Sequence, residues 1–177
     1  MGDSHIEHLR ACCVRVMGKN PGCGFFVGPK LIVTSAHVVG RDVDEGATIE
    51  IRRWESNGFC TIERSATVLA MFADDDLALL ETAVENSVFS PLDEEVHIGD
   101  TLVGIGFPKR GNREKFDQFS ATYEGQTQFL DVSGQAVTES KFKAGQVEPG
   151  FSGGPFSRYL ILDFSPLASG ETGSSIL

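Results

Sequence analysis

Nowhere in this chain do eighteen or so apolar residues follow one another, so no transmembrane helix is expected. The opening stretch MGDSHIEHLRACC lacks a basic start and an apolar centre, and with them a secretory signal. Ile6 stands where acylation of an MGDS start needs Ser or Thr, which argues against myristoylation. The four cysteines, Cys12, Cys13, Cys23 and Cys60, are too few and too irregularly spaced for a disulfide framework. With no export signal, reduced thiols and a cytoplasmic location are the expectation. Positive charge is scarce too: 15 Lys and Arg stand against 25 Asp and Glu, a net charge of −10. Such a surface repels phosphate backbones and anionic lipids, so neither nucleic acid nor a membrane is an expected partner. The one basic cluster, PKRGNREK at 108–115, contains Gly and Asn and reads as a solvated loop.

What remains is an ordinary globular composition, 41% hydrophobic and 23% charged, over 177 residues. That length builds one sizeable domain or two small subdomains sharing an interface. Periodicity favours strands. CCVRVMG and ATIEIRRW alternate, and GFFVGPKLIVTSAH holds two short apolar runs parted by Gly28-Pro29. SATVLAMF, DLALLET, TLVGIGF and KFKAGQV continue the pattern. Short strands between turn residues indicate an all-β barrel or sandwich. Helical spacing occurs in SHIEHLRACCV, and a helical turn is expected around TSAHVV. The polar, proline-containing stretch at 85–100 divides the chain into halves, 1–90 and 91–177.

Chemistry concentrates in GQVEPGFSGGPF, residues 145–156, where Ser152 stands among glycines and a proline. Such a stretch reads either as a glycine-rich turn or as a cradle presenting a nucleophile, with neighbouring N–H groups receiving negative charge. A serine hydroxyl needs an adjacent base, usually a histidine oriented by a carboxylate. Of His5, His8, His37 and His97, His37 stands out, because LIVTSAHVV places it just after an apolar strand. Alone it also reads as a strand-end histidine bonded to backbone. Asp76, leading into LALL, is the carboxylate candidate, with Asp75 behind it; alone, Asp74–Asp76 reads as a solvated acidic turn. Together, His37, Asp76 and Ser152 occur in the chain order of the chymotrypsin arrangement.

On GCGFFVGPKLIVTSAHVV (22–39), DDLALLET (75–82), VGIGFP (103–108) and VEPGFSGGPF (147–156), the chain resembles the chymotrypsin/trypsin-like serine peptidases. It is similar to the bacterial, disulfide-free members, the Deg/Htr type and the small trypsin-like modules of multidomain proteins: Val38, not Cys, follows His37, and Cys23 lies in the GCGFF turn. The resemblance implies two six-stranded antiparallel β-barrels and a serine endopeptidase acting on polypeptides without a metal or other cofactor. By the same likeness Ser152 is the nucleophile, His37 the base and Asp76 its orienting acid. The N–H groups of Gly150 and Ser152 form the oxyanion hole, and neutral Gln146 lies near the substrate-pocket base, against a preference for Arg or Lys.

Two departures qualify the likeness. Phe151 stands where many digestive relatives carry an aspartate that pairs with a freed amino terminus, so activation by insertion is not expected. After SGGP, residues 156–177 hold one strand-like run, RYLILDF, before Pro166 and a small, polar end. The tail is atypical from about residue 157. The second barrel is therefore expected to be incomplete, as in a truncated product or a module completed by another domain or chain. This leaves a catalytically impaired module that binds peptides or partners as the alternative function. A zinc site at His5, His8, Cys12 and Cys13 has no second half-site, and the cysteines read as small buried hydrophobes.

Overall fold

A computed structural model of the chain describes residues 3–55, 58–59, 64–90, 92, 96–110, 113–114, 116–130, 136–144, 150–158 and 175–176. A helix, α1 (Asp3–Cys12), runs directly into the first of six barrel strands. These are β1 (Cys13–Val16), β2 (Gly22–Phe26), β3 (Leu31–Ser35), β4 (Thr48–Glu55), β6 (Arg64–Phe72) and β7 (Leu77–Thr82). A two-residue strand, β5 (Gly58–Phe59), adds only to the end of β4, and a single turn, α2 (Ala36–Val39), follows β3. The order β1-β2-β3-β7-β6-β4 closes on itself because β1 pairs with both β2 and β4, all antiparallel. Closure removes both sheet edges and leaves an interior filled by Val14, Val16, Ile32, Ile51, Val68 and Leu80. Each such side chain contributes about 1.5–3 kcal/mol by leaving water.

The second half forms an open sheet among the described residues. Its strands are β8 (Thr101–Gly106), β11 (Asp117–Leu130), β12 (Ala136–Ala144), β13 (Phe156–Arg158) and β14 (Ser175–Ile176), in the order β12-β11-β8-β13-β14. The basic cluster expected to be a loop is instead paired, β9 (Lys109–Arg110) with β10 (Arg113–Glu114). The sequence between these two strands, Gly-Asn, is of the residue types that short hairpins favour. Between the halves, Asn86 staples the connection to the barrel. Its side-chain amide donates to the Ala11 and Val88 carbonyls, and its N–H donates to Pro29.

The two sheets meet across a second apolar cluster. Cys13, Cys23, Phe25 and Val33 from the outer face of the barrel pack on Val103, Ile105 and Phe107, with Leu9 of α1 closing one side. All residues of β1 and β2 are consequently buried, whichever way they point. This sandwiching brings the end of β3, the start of β7 and the 150–155 loop into one neighbourhood.

Candidate active site

His37 sits in α2, a single turn that continues β3 without a side-chain cap. Asn20 fixes this turn from the opposite loop: its Nδ2 donates to the His37 carbonyl at 2.9 Å and its N–H to Val38 at 3.2 Å. Asp76 ends the 73–76 turn with φ +52°, the only positive φ at a non-glycine among the described residues. Left-handed backbone costs an L-residue about 1–2 kcal/mol, less for Asp, whose short side chain bonds locally. Here three hydrogen bonds offset it. The Asp76 carbonyl accepts the Ala36 N–H at 2.9 Å, and Oδ1 accepts the His37 N–H at 3.0 Å. Oδ2 lies 2.6 Å from His37 Nδ1. The carboxylate is thus held against both backbone and ring of one histidine.

Burial alone would push the Asp76 carboxyl up, but the His37 ring and backbone bonds, the His37 charge and Arg41 outweigh it and hold it below its ordinary value. An ionised carboxylate only accepts, so Nδ1 carries a proton, and in the neutral form of the ring the lone pair is on Nε2. The imidazole side chain remains 40% exposed. The arrangement can therefore take a proton at Nε2 while the aspartate stabilises the cation that results. Asp75 is exposed in the same turn and does not meet the ring. Asn20 and Arg41 were not anticipated. Arg41 Nη2 reaches Asp76 Oδ1 at 3.3 Å, and its only trace in the sequence is its place one helical turn after His37.

Ser152 is exposed on the loop that crosses from the open sheet to the barrel, where its carbonyl accepts the Cys23 N–H at 2.7 Å. Two glycines let this loop lie so close. Gly153, at φ +77°, has no room for a Cβ, which would fall on the Cys23 carbonyl oxygen and 2.5 Å from Thr34 Oγ1. Gly150, at φ +112°, is packed against the Phe107 carbonyl in the same way. Phe151 is buried edge-on against Phe119, with ring centroids 4.8 Å apart, which anchors the loop apolarly. Among the described residues, the Gly150 and Ser152 N–H groups donate to no backbone carbonyl, and Ser152 Oγ shares no hydrogen bond with His37. Gln146 lies outside the described residues. His5 and His8 lie on α1, and among the described residues no group of three or more His, Cys, Asp or Glu could hold a metal ion.

Residues 22–157 match the family model of the trypsin-like peptidase domain. No curated protein matches the sequence. Among solved structures, the active form of the Rv3671c protease from M. tuberculosis aligns with a TM-score of 0.66 at 22% identity, covering 88% of this chain and 68% of that one. The serine endoprotease from Yersinia pestis aligns at 0.61 and 18% identity, over 89% of this chain and 53% of that one. Deg5 gives 0.64 and 18%, over 89% and 79%. At these identities the likeness speaks for the fold, a trypsin-like barrel with a partial second sheet.

Proposed function

The chain belongs to the trypsin-like peptidase family, and from that premise we propose that it is a serine endopeptidase hydrolysing polypeptides through an acyl-enzyme intermediate. The observation that carries the reading is the His37–Asp76 pair, bonded through ring and backbone at 2.6 and 3.0 Å, with Nε2 uncommitted among the described residues. A histidine needed only for packing has no use for that arrangement.

In this reading Ser152 Oγ bonds to the scissile carbonyl carbon while His37 Nε2 removes its proton and the carbonyl electron pair moves onto oxygen. The Gly150 and Ser152 N–H groups receive that oxyanion, each worth ~3 kcal/mol of transition-state stabilisation. Collapse of the adduct breaks the C–N bond, and His37 returns the proton to the leaving amine. Water repeats the sequence, releasing the acid and restoring Ser152. Asp76 stays ionised throughout. Ser152 and His37 must come within hydrogen-bonding reach for the first step, a contact that such sites often complete only with substrate in place. Neutral Gln146 would offer no countercharge to an Arg or Lys side chain. No cofactor enters these steps.

The test is hydrolysis of an unstructured polypeptide such as casein by the wild type, Ser152→Ala and His37→Ala. Turnover lost in both variants is expected. Equal turnover by wild type and Ser152→Ala would remove the reading and leave the peptide-binding module in its place.

A further inference from the structure

Arg15 plays no part in the chemistry above, yet it is only 3% exposed. Burying a guanidinium is costly unless hydrogen bonds satisfy it. Alternation along β1 would send this side chain to solvent, but the second sheet covers that face of the barrel. There its Nη1 donates to the Phe107 carbonyl at 3.0 Å, joining the two halves of the molecule. A bond from a charged donor is roughly twice as strong as a neutral one.

Both backbone polar groups of Phe107 face the nucleophile loop, one through a hydrogen bond and the other through close packing. Its N–H donates to the Gly150 carbonyl at 3.1 Å. Its carbonyl oxygen, the one Arg15 holds, lies where a Gly150 Cβ would stand. Gly150 has no side chain with which to fix its own orientation, so the direction of its N–H depends on the peptide it rests against. We propose that Arg15 is a positioning residue for the oxyanion-binding amides, clamping the Phe107 carbonyl and through it Gly150. The inference rests on the peptidase reading, in which the Gly150 N–H is one of two oxyanion donors.

Arg15→Met removes charge and donors at similar length, and Arg15→Lys restores a single charged donor. In Arg15→Met, kcat falls roughly 10-fold or more, short of the ~100-fold or greater loss of a whole oxyanion donor. KM stays within about twofold, because ground-state binding is untouched. Affinity for a peptide trifluoromethyl ketone, whose adduct carries the oxyanion, falls by the same factor as kcat, while affinity for a product peptide does not change. Arg15→Lys lies between. A merely structural role would lower both affinities together, and that result, or a wild-type kcat in Arg15→Met, overturns the proposal. If Arg15→Met does not fold, Arg15→Lys decides: lower kcat at unchanged KM supports the clamp, and wild-type kcat refutes it. Amide hydrogen exchange, measured in a Ser152→Ala background, separates this inference from the peptidase reading. Faster exchange at Phe107 in Arg15→Met supports the clamp even if the wild type hydrolyses nothing, and unchanged exchange refutes it.

Discussion

Replacing Gly153 with alanine tests whether the glycines of the 150–155 loop are a requirement of contact or merely tolerated. Two terms set the magnitude. Alanine at φ +77° meets the left-handed penalty of about 1–2 kcal/mol. Its methyl would also occupy the space of the Cys23 carbonyl oxygen, 2.5 Å from Thr34 Oγ1 and 2.9 Å from the Ser35 nitrogen. These are backbone groups and a short side chain, not flexible ends that can swing aside. The Thr34 Oγ1–Cys23 O hydrogen bond, 2.6 Å in length, would be displaced at a cost of about 1 kcal/mol. The sum, about 2–3 kcal/mol, corresponds to a fall in Tm of roughly 5–10 °C for a domain of this size. Function should suffer more than stability. The loop must withdraw from Cys23, whose N–H holds the Ser152 carbonyl at 2.7 Å, and a displacement of about 1 Å at a reacting group costs ~100-fold in rate. Differential scanning fluorimetry and the acylation burst with a p-nitrophenyl ester measure the two effects. A variant melting within about 1 °C of wild type with an unchanged burst would show that the loop does not rest on the barrel as described.

Asp76→Asn should leave the fold intact and lower kcat by ~10,000-fold, because an amide facing Nδ1 favours the tautomer with its proton on Nε2; a loss under about tenfold would refute the ring–carboxylate coupling. The same pair predicts a pH dependence. A carboxyl held below its ordinary value adds stability that is present above about pH 4 and lost as pH falls through the depressed folded value. The Tm difference between wild type and Asp76→Asn should therefore shrink only in that acid range, and a constant difference would contradict the bond. Arg41, an exposed partner 3.3 Å from Asp76, should matter little: Arg41→Ala changes kcat by less than about fivefold, since exposed ion pairs contribute about 0–1 kcal/mol. Burial pushes the Cys12 thiol up to about 12 and the Cys13 thiol well above its usual value, so peptide mapping after iodoacetamide treatment at pH 8 should find both unmodified in the native protein and alkylated in guanidinium.

The pairing of His37 with Asp76 was legible in the chain, because His37 follows an apolar run and Asp76 precedes one, and the two strand ends meet. Alternation likewise exposed β4 and β6, where Ile51 of one and Ala66 and Val68 of the other are buried. It misled at β1, where CVRV suggests an arginine facing water and the structure buries all four residues, because alternation cannot report a second sheet laid over the outer face. The long strand β11 escaped notice for a related reason. Only Asp117–Thr122 of it pairs with β8, and beyond that it pairs with β12 alone. DQFSATYEGQTQFL consequently lacks a continuous apolar face. Asn20 and Arg41 act through contacts made by loop geometry, which no period encodes.

The central claim is that His37 activates Ser152, and covalent capture by a fluorophosphonate tests it most directly. Mapped by peptide mass, the adduct should fall on Ser152 alone, and His37→Ala should slow its formation by ~1,000-fold or more. A folded wild-type protein that acquires no adduct at Ser152, or acquires one equally fast without the imidazole, would contradict the account.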